Sequence, residues 1–278
     1  MRLDVEILKV GYCSHPEKIV YAKGKMKSRQ FPANVFLINH PDKGHILFDT
    51  GYANRFYDIT KKLPEKLYAI VTPVILPEVE QLVTQLKQKD LLPEQIFKVI
   101  VSHLHADHAS GLKDFQAENI ICCKKGLEQL LKLSRLRQVT KGFLRELVPE
   151  NWQETFQCFS SLEIVDTGLQ HFPRGGDLIG DQSVLAIALP GHMEGHYGVY
   201  LPDTNMGPLL LAGDAFWTAK NLIENVMPHS ITRLLQHDFH EYKQTLNKLS
   251  ATFNEEKNIT IMGCHCDEDE FKLLSGPR

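Results

Sequence analysis

The sequence predicts an α/β protein of mixed strands and helices, and three observations carry that expectation. Apolar runs of strand length recur along the chain, among them Val99 to Val101, Ile46 to Phe48 and Leu209 to Ala212. Other segments place apolar residues at helical spacing, such as Val79, Leu82, Val83 and Leu86. Finally, ILFDTG (46–51) and LLLAGDA (209–215) are both apolar strands with aspartate at the carboxyl end. Two such strand-rich halves, each followed by helix, suggest two sheets packed face to face with helices outside.

Taken in order, residues 3–12 alternate apolar and polar side chains and predict an opening strand. Residues 13–32 are polar and lysine-rich, and predict a surface loop or hairpin. Residues 34–38 and 45–48 predict an antiparallel pair joined through Pro41-Asp42-Lys43-Gly44, whose residues suit a turn. Residues 52–74 mix aromatic and basic side chains without a clean period, and no element is assigned there. A helix follows at 77–89, a short turn at Pro93, the central strand at 99–101 and another strand at 119–123. Residues 126–147 predict a helical pair with Leu127, Leu130, Leu131, Leu133 and Leu136 on one face and Lys132, Arg135, Arg137, Lys141 and Arg145 on the other. That pair forms most of an insert spanning about 126–158. It reads either as a solvated basic face or as a lid, with Trp152 and Phe156, that meets an anionic or acyl-bearing substrate. Strands return at 162–165, 184–189, 197–201 and 209–212, with a glycine-rich loop at 171–181. A long helix at 231–249 and a strand at 259–262 complete a chain read as one domain, 1–278.

A formal net charge of −3 argues against a general nucleic-acid binder. No apolar run approaches the length of a membrane span, and Asp4, Glu6 and Lys9 interrupt anything resembling a signal peptide. The six cysteines show no framework spacing, so reduced thiols in a cytoplasm are the expectation.

The chemistry concentrates at 103–108, His-Leu-His-Ala-Asp-His, directly after the central apolar run. Imidazoles and a carboxylate gathered at a strand end must all find partners, and a metal centre supplies them. His103 and His105, two apart in extended chain, point the same way and can share one ion. Asp107 and His108 lie past the turn, within reach of a second ion. Asp49, at the end of its own strand, reads either as support for this loop or as part of a plain turn.

The H-x-H-x-D-H run resembles the signature of the metallo-β-lactamase superfamily of metallohydrolases. Further landmarks extend the likeness over most of the chain: D-T-G at 49–51, P-G-H-x-x-G-H at 190–196, G-D at 213–214 and a histidine after the last strand, His265. The resemblance implies a four-layer αββα sandwich of two mixed β-sheets flanked by helices, with the helical insert near the active site. It implies two divalent ions per chain, with His103, His105 and His192 on the first, Asp107, His108 and His265 on the second, and Asp214 bridging them. Asp49 and His196 would support the ligands, and the neighbours Cys264 and Cys266 would be packing thiols. Zinc is the default metal; a His/Asp set without cysteine also suits iron or manganese. An ion pair of this kind lowers the pKa of a bridging water towards 7, so the implied activity is hydrolysis by a metal-bridging hydroxide, with Asp107 carrying the proton to the leaving group.

Within the superfamily the layout looks like the branch of N-acyl-homoserine lactonases, which cleave an ester bond in a ring. One departure stands out: those enzymes carry a tyrosine three residues after the bridging aspartate, where this chain has Trp217, and an indole cannot act as an acid. Phe216 and Trp217, and less directly His229, are the candidates for binding a small-molecule acyl substrate. The main alternative is a thioesterase resembling glyoxalase II, whose thiolate leaving group needs less acid help. A phosphodiesterase, a mononuclear iron enzyme resembling persulfide dioxygenase, and a non-catalytic scaffold complete the set. A homodimer is compatible with the sequence, and neither nucleic acid nor membrane is expected as a partner.

Overall fold

The structure is a computed structural model, described here for residues 1–275. The chain divides into two compact units: one comprises Met1–Val5, Pro16–Arg29 and the part from Phe159 onward, the other Glu6–His15 and Gln30–Cys158. The strands are β1 (Asp4–Pro16), β2 (Ser28–His40), β3 (Gly44–Phe48), β4 (Val74–Ile75), β5 (Ile96–Ile100), β6 (Ile120–Cys122), β7 (Gln157–Cys158), β8 (Glu163–Asp166), β9 (Arg174–Asp177), β10 (Leu185–Ala188), β11 (Tyr197–Leu201), β12 (Leu209–Leu211) and β13 (Thr260–Met262). They form a seven-stranded sheet, ordered β4-β1-β2-β3-β5-β6-β7, and a six-stranded sheet, ordered β13-β12-β11-β10-β9-β8. Both are mixed. In the first, β2 and β3 are antiparallel while β3, β5, β6 and β7 run parallel. In the second, β8 to β12 alternate direction and β13 runs parallel to β12.

These parallel pairs set the positions that matter later. Phe48 of β3 lies opposite Ile100 of β5, so Asp49 and the 101–108 stretch leave that sheet side by side. The Asp49 amide donates to the Ile100 carbonyl at 2.8 Å, which seals the exit. In the other unit Leu211 of β12 lies opposite Met262 of β13, so Asp214 and His265 likewise leave a shared edge. β5 reads IFKVI and is buried on both faces at Val99 and Ile100, as expected for a parallel strand between neighbours. Ile187, Leu210 and Ile261 of the second sheet pack with Phe216, Leu246 and Phe253 in one buried cluster, the last two from the helix Phe239–Glu255.

Several expectations need correction. The helix placed at 77–89 starts only at Leu82, running Leu82–Gln88 after a 3₁₀ turn at Glu78–Glu80; Val79 points outward, 65% exposed. The helix placed at 231–249 is Phe239–Glu255, because Asp238 caps it by accepting from the His240 and Glu241 amides, while Ser230–Leu234 is a 3₁₀ turn. The glycine-rich loop at 171–181 contains β9, where Gly175 and Gly176 let Thr167 and Leu162 approach the backbone closely. The loop placed at 13–32 gives way to the end of β1, a short helix Glu17–Val20 and the start of β2. Trp152 and Phe156 are buried, so neither furnishes the surface of a lid. The helical pair at 126–147 is present as Lys124–Leu131 and Arg135–Thr140, although Leu136 is 53% exposed rather than on the apolar face.

Candidate metal centre

The D-T-G turn and the 102–108 stretch are wired together atom by atom. Asp49, fully buried and held at φ 65°, accepts from the Ser102 amide at 2.7 Å and from the Ser102 hydroxyl at 2.8 Å. Its Oδ2 also lies 2.8 Å from His108 Nδ1. A carboxylate only accepts, so His108 carries its proton on Nδ1 and presents Nε2 as a lone pair. Thr50 holds the backbone instead: its amide and hydroxyl both donate to the His108 carbonyl, at 2.9 and 2.7 Å. Gly51 stands at φ 64°, where a Cβ would come within 2.4 Å of Val10.

The same accounting settles His103 and His105. The Ser102 hydroxyl gives its proton to Asp49, so at 3.0 Å it accepts from His103 Nδ1 and leaves His103 Nε2 as a lone pair. His105 Nε2 lies 3.1 Å from the Lys141 carbonyl, which only accepts, so the proton sits there and Nδ1 is the lone pair. His103 Nε2 and His105 Nδ1 then face each other at 2.9 Å. Two lone pairs cannot hydrogen-bond to one another, and a shared cation reconciles them. This is the observation that tests whether the residues fit a metal, and they do.

In the other unit, β10 leads to the 190–196 turn. His196 is fully engaged by the chain: Nδ1 lies 2.9 Å from the Leu189 carbonyl and Nε2 accepts from the Asp214 amide at 3.1 Å. It is therefore a brace on Asp214 with no lone pair to spare. His192 and His265 each point Nε2 at the same oxygen, Asp214 Oδ2, at 3.3 Å. One carboxylate oxygen thus serves two imidazoles, and all three side chains are buried. Gly191 stands at φ 119° with a Cβ position 2.0 Å from the Tyr242 amide, so only glycine lets that turn approach the helix Phe239–Glu255.

Within one unit His103, His105, Asp107 and His108 stand together, and within the other His192, Asp214 and His265 do; all seven side chains are buried. Asp49 is spent on Ser102 and His108. The Cys266 thiol is pushed well up by burial and then by the Glu270 charge, which keeps it protonated and inert. Burial and the nearby Asp107 charge likewise raise Tyr52, while burial and Asp214 raise Tyr242.

The three substrate candidates fare differently. Trp217 is half-buried, with its ring centroid 4.2 Å from that of His265. Phe216 is fully buried in the core cluster and its ring lies against Gly263, so it packs the fold and cannot touch a substrate. His229 caps the turn Ser230–Leu234 by accepting from the Ile231 amide, a structural role that the sequence reading missed. Ser102 and the Lys141–Gly142 turn were also missed. Ser102 stands beside the histidine run and could have been noticed; a main-chain carbonyl on a helical insert leaves no sequence trace. A Cβ at Gly142, φ 71°, would lie 2.5 Å from the His105 ring, so the insert touches a metal-ligand candidate directly.

Asp49→Asn tests the wiring. Asparagine tolerates the positive φ but turns one acceptor into a donor that opposes His108 or Ser102. The variant is expected to lose about 1–3 kcal/mol of stability and roughly 10–100-fold in metal affinity, measured by thermal melts and chelator competition. Unchanged metal retention would remove Asp49 from the support of the site.

Comparison with known proteins agrees with this geometry. The sequence profile of the Metallo-beta-lactamase superfamily matches residues 28–257. The chain is 27% identical over 209 residues to the N-acyl homoserine lactonase AttM of Azorhizobium caulinodans, covering 74% of this chain and 73% of that protein. It is 25% identical over 232 residues to an N-acyl homoserine lactonase of Bacillus cereus, covering 82% and 80%. Among solved structures, an N-acyl homoserine lactone hydrolase with N-hexanoyl-L-homoserine at its catalytic metal centre superposes with a TM-score of 0.74 at 21% identity, covering 97% of this chain and 96% of that one. A Bacillus thuringiensis AiiA variant with bound N-decanoyl-L-homoserine gives 0.72 at 21% identity, with the same coverage. The profile match spans the D-T-G turn, the histidine run, the 190–196 turn and Asp214, and the superposition extends over nearly the whole fold: the chain belongs to the metallo-β-lactamase superfamily.

Proposed function

We propose that the protein is a dinuclear metal-dependent hydrolase that opens N-acyl homoserine lactones. The observation that carries the metal half of this reading is the pair of facing lone pairs on His103 and His105, 2.9 Å apart with both protons assigned elsewhere. His103, His105 and His192 would hold one ion, Asp107, His108 and His265 the other, and Asp214 both. Zinc suits this donor set best. Bound there, such ions would supply Lewis acidity and a water acidic enough to yield hydroxide near neutral pH.

The chain's own residues do the rest. Ser102, Asp49 and the Lys141 carbonyl fix which nitrogen His103, His105 and His108 present. Asp107, buried beside His108 at 3.6 Å, is the group in this reading that returns a proton to the departing ring oxygen. Trp217 offers an apolar wall beside His265 and no ionisable hydroxyl. The lactone substrate rests on the named relatives, all of which act on acyl homoserine lactones, and on an acyl-bearing substrate suiting that indole. No helix among the described residues is long and apolar enough to cross a membrane. The six cysteines show no framework spacing in the sequence, which suits a reducing compartment, and we read the protein as cytoplasmic.

The test is a turnover panel of metal-replete enzyme on acyl homoserine lactones, acyl thioesters and aryl phosphodiesters, with metal counted per chain. Two ions per chain and highest kcat/KM on the lactones are expected. Preferential turnover of thioesters, or a single iron per chain, would overturn the reading.

A further inference from the structure

The most prominent feature outside the histidine cluster is an outward-facing apolar stripe on the segment leading into the helix Lys66–Val71. Leu67, Ile70 and Val71 share one helical face and are 40%, 62% and 67% exposed, and Leu63, just before the helix, is 67% exposed. The inner side of this helix is already satisfied by Tyr68, whose ring centroid lies 5.6 Å from that of Phe56. The stripe is therefore no part of a core. Neighbouring large apolar side chains that all face outward mark a contact site. Leu136, 53% exposed on the helix Arg135–Thr140, extends it, because the two helices pack together and Arg135 pairs with Glu65 at 2.8 Å.

Charge says what covers the stripe. Exposed Lys62, Lys66 and Arg137 flank it. The carboxylates close by are already engaged: Asp58 with Lys61, and Glu65 and Glu146 with Arg135. The chain as a whole carries −3, so an apolar face rimmed by unneutralised cations stands against the general trend of its surface. Two copies of such a face would bring like charges together, which disfavours self-association through it. Nucleic acid has the charge but offers no solvent for exposed leucine and isoleucine.

We propose that this face docks on an anionic lipid bilayer, with Leu63, Leu67, Ile70 and Val71 entering the boundary between headgroups and acyl chains and the basic side chains meeting lipid phosphates. Such peripheral contact needs no spanning helix. It departs from the sequence expectation that no membrane is a partner, because hydropathy runs report spanning segments and not a short outward stripe.

Vesicle flotation tests it, using phosphatidylcholine alone and phosphatidylcholine with about 30 mol% phosphatidylglycerol. The full chain is expected to bind the anionic vesicles at least about tenfold more tightly, with loss at high salt. Ile70→Ser/Val71→Ser and Lys62→Glu/Lys66→Glu should each lose about tenfold or more of that binding, with wild-type melting temperature and wild-type turnover in free solution. Absent or charge-indifferent vesicle binding by the wild type would overturn the proposal, as would full binding by either variant. So would a wild-type dimer in light scattering that Ile70→Ser/Val71→Ser converts to monomer, which would assign the face to a second copy.

Discussion

Asp214→Ala is expected to strip the protein of bound metal and abolish nearly all turnover. Asp214 Oδ2 lies 3.3 Å from Nε2 of both His192 and His265, and in the proposed reading this carboxylate serves both ions. Removing it leaves two buried imidazoles without the carboxylate they share, so the loss should far exceed the roughly 10–100-fold that removal of an outer partner costs. Asp214→Asn separates charge from shape: it keeps the volume and the amide that donates to His196, but halves the anionic character of the site. Metal per chain by mass spectrometry and kcat/KM on acyl lactones are the measurements. Wild-type occupancy and rate in the alanine variant would end the assignment of Asp214 as a shared ligand.

Gly142→Ala should impair the site from the insert, without replacing any metal-ligand candidate. The glycine is held at φ 71°, and a Cβ there would lie 2.5 Å from His105 Cδ2 and 2.7 Å from Nε2. His105 must then tilt and give up its bond to the Lys141 carbonyl, and with it the tautomer that makes Nδ1 the acceptor. A loss of about 10–100-fold in metal affinity follows, the scale on which a partner that orients a ligand acts. Gly180→Ala is the control. It has φ 85° with nothing within 4 Å, so it carries the backbone strain of a left-handed residue without the clash. If both variants hold metal equally well, the contact between insert and His105 has no functional weight. Trimming the insert, which from sequence would be expected to raise KM more than it lowers kcat, would now also release His105, so it no longer isolates substrate binding.

Much of the centre was legible in one dimension. His103, His105, Asp107 and His108 sit within six consecutive positions, and short-range spacing decides which way neighbouring side chains point. The central strand, the β2–β3 hairpin and the donors at 192, 214 and 265 also follow from local pattern or from the superfamily's motifs. Where the reading failed, distant contacts had overridden local preference. The residues 77–81 have helical spacing but Val79 meets only solvent, so the helix waits for Leu82. Gly175 and Gly176 look like loop residues, yet they form β9 because Leu162 and Thr167 pack against their bare backbone.

What the residue order carried by itself, then, is the candidate donors at 103–108 and the strands around them, which depend on chemistry and periodicity within a few residues, while the candidates at 192, 214 and 265 came through the superfamily's motifs. Only the tertiary structure decided which nitrogen His103, His105 and His108 offer, that Phe216 is core and Trp217 lies against His265, and that the Lys141 carbonyl reaches His105 from 36 residues downstream. Proton positions and steric gaps are properties of neighbours in space, and no local spacing encodes a carbonyl that arrives from a separate helix.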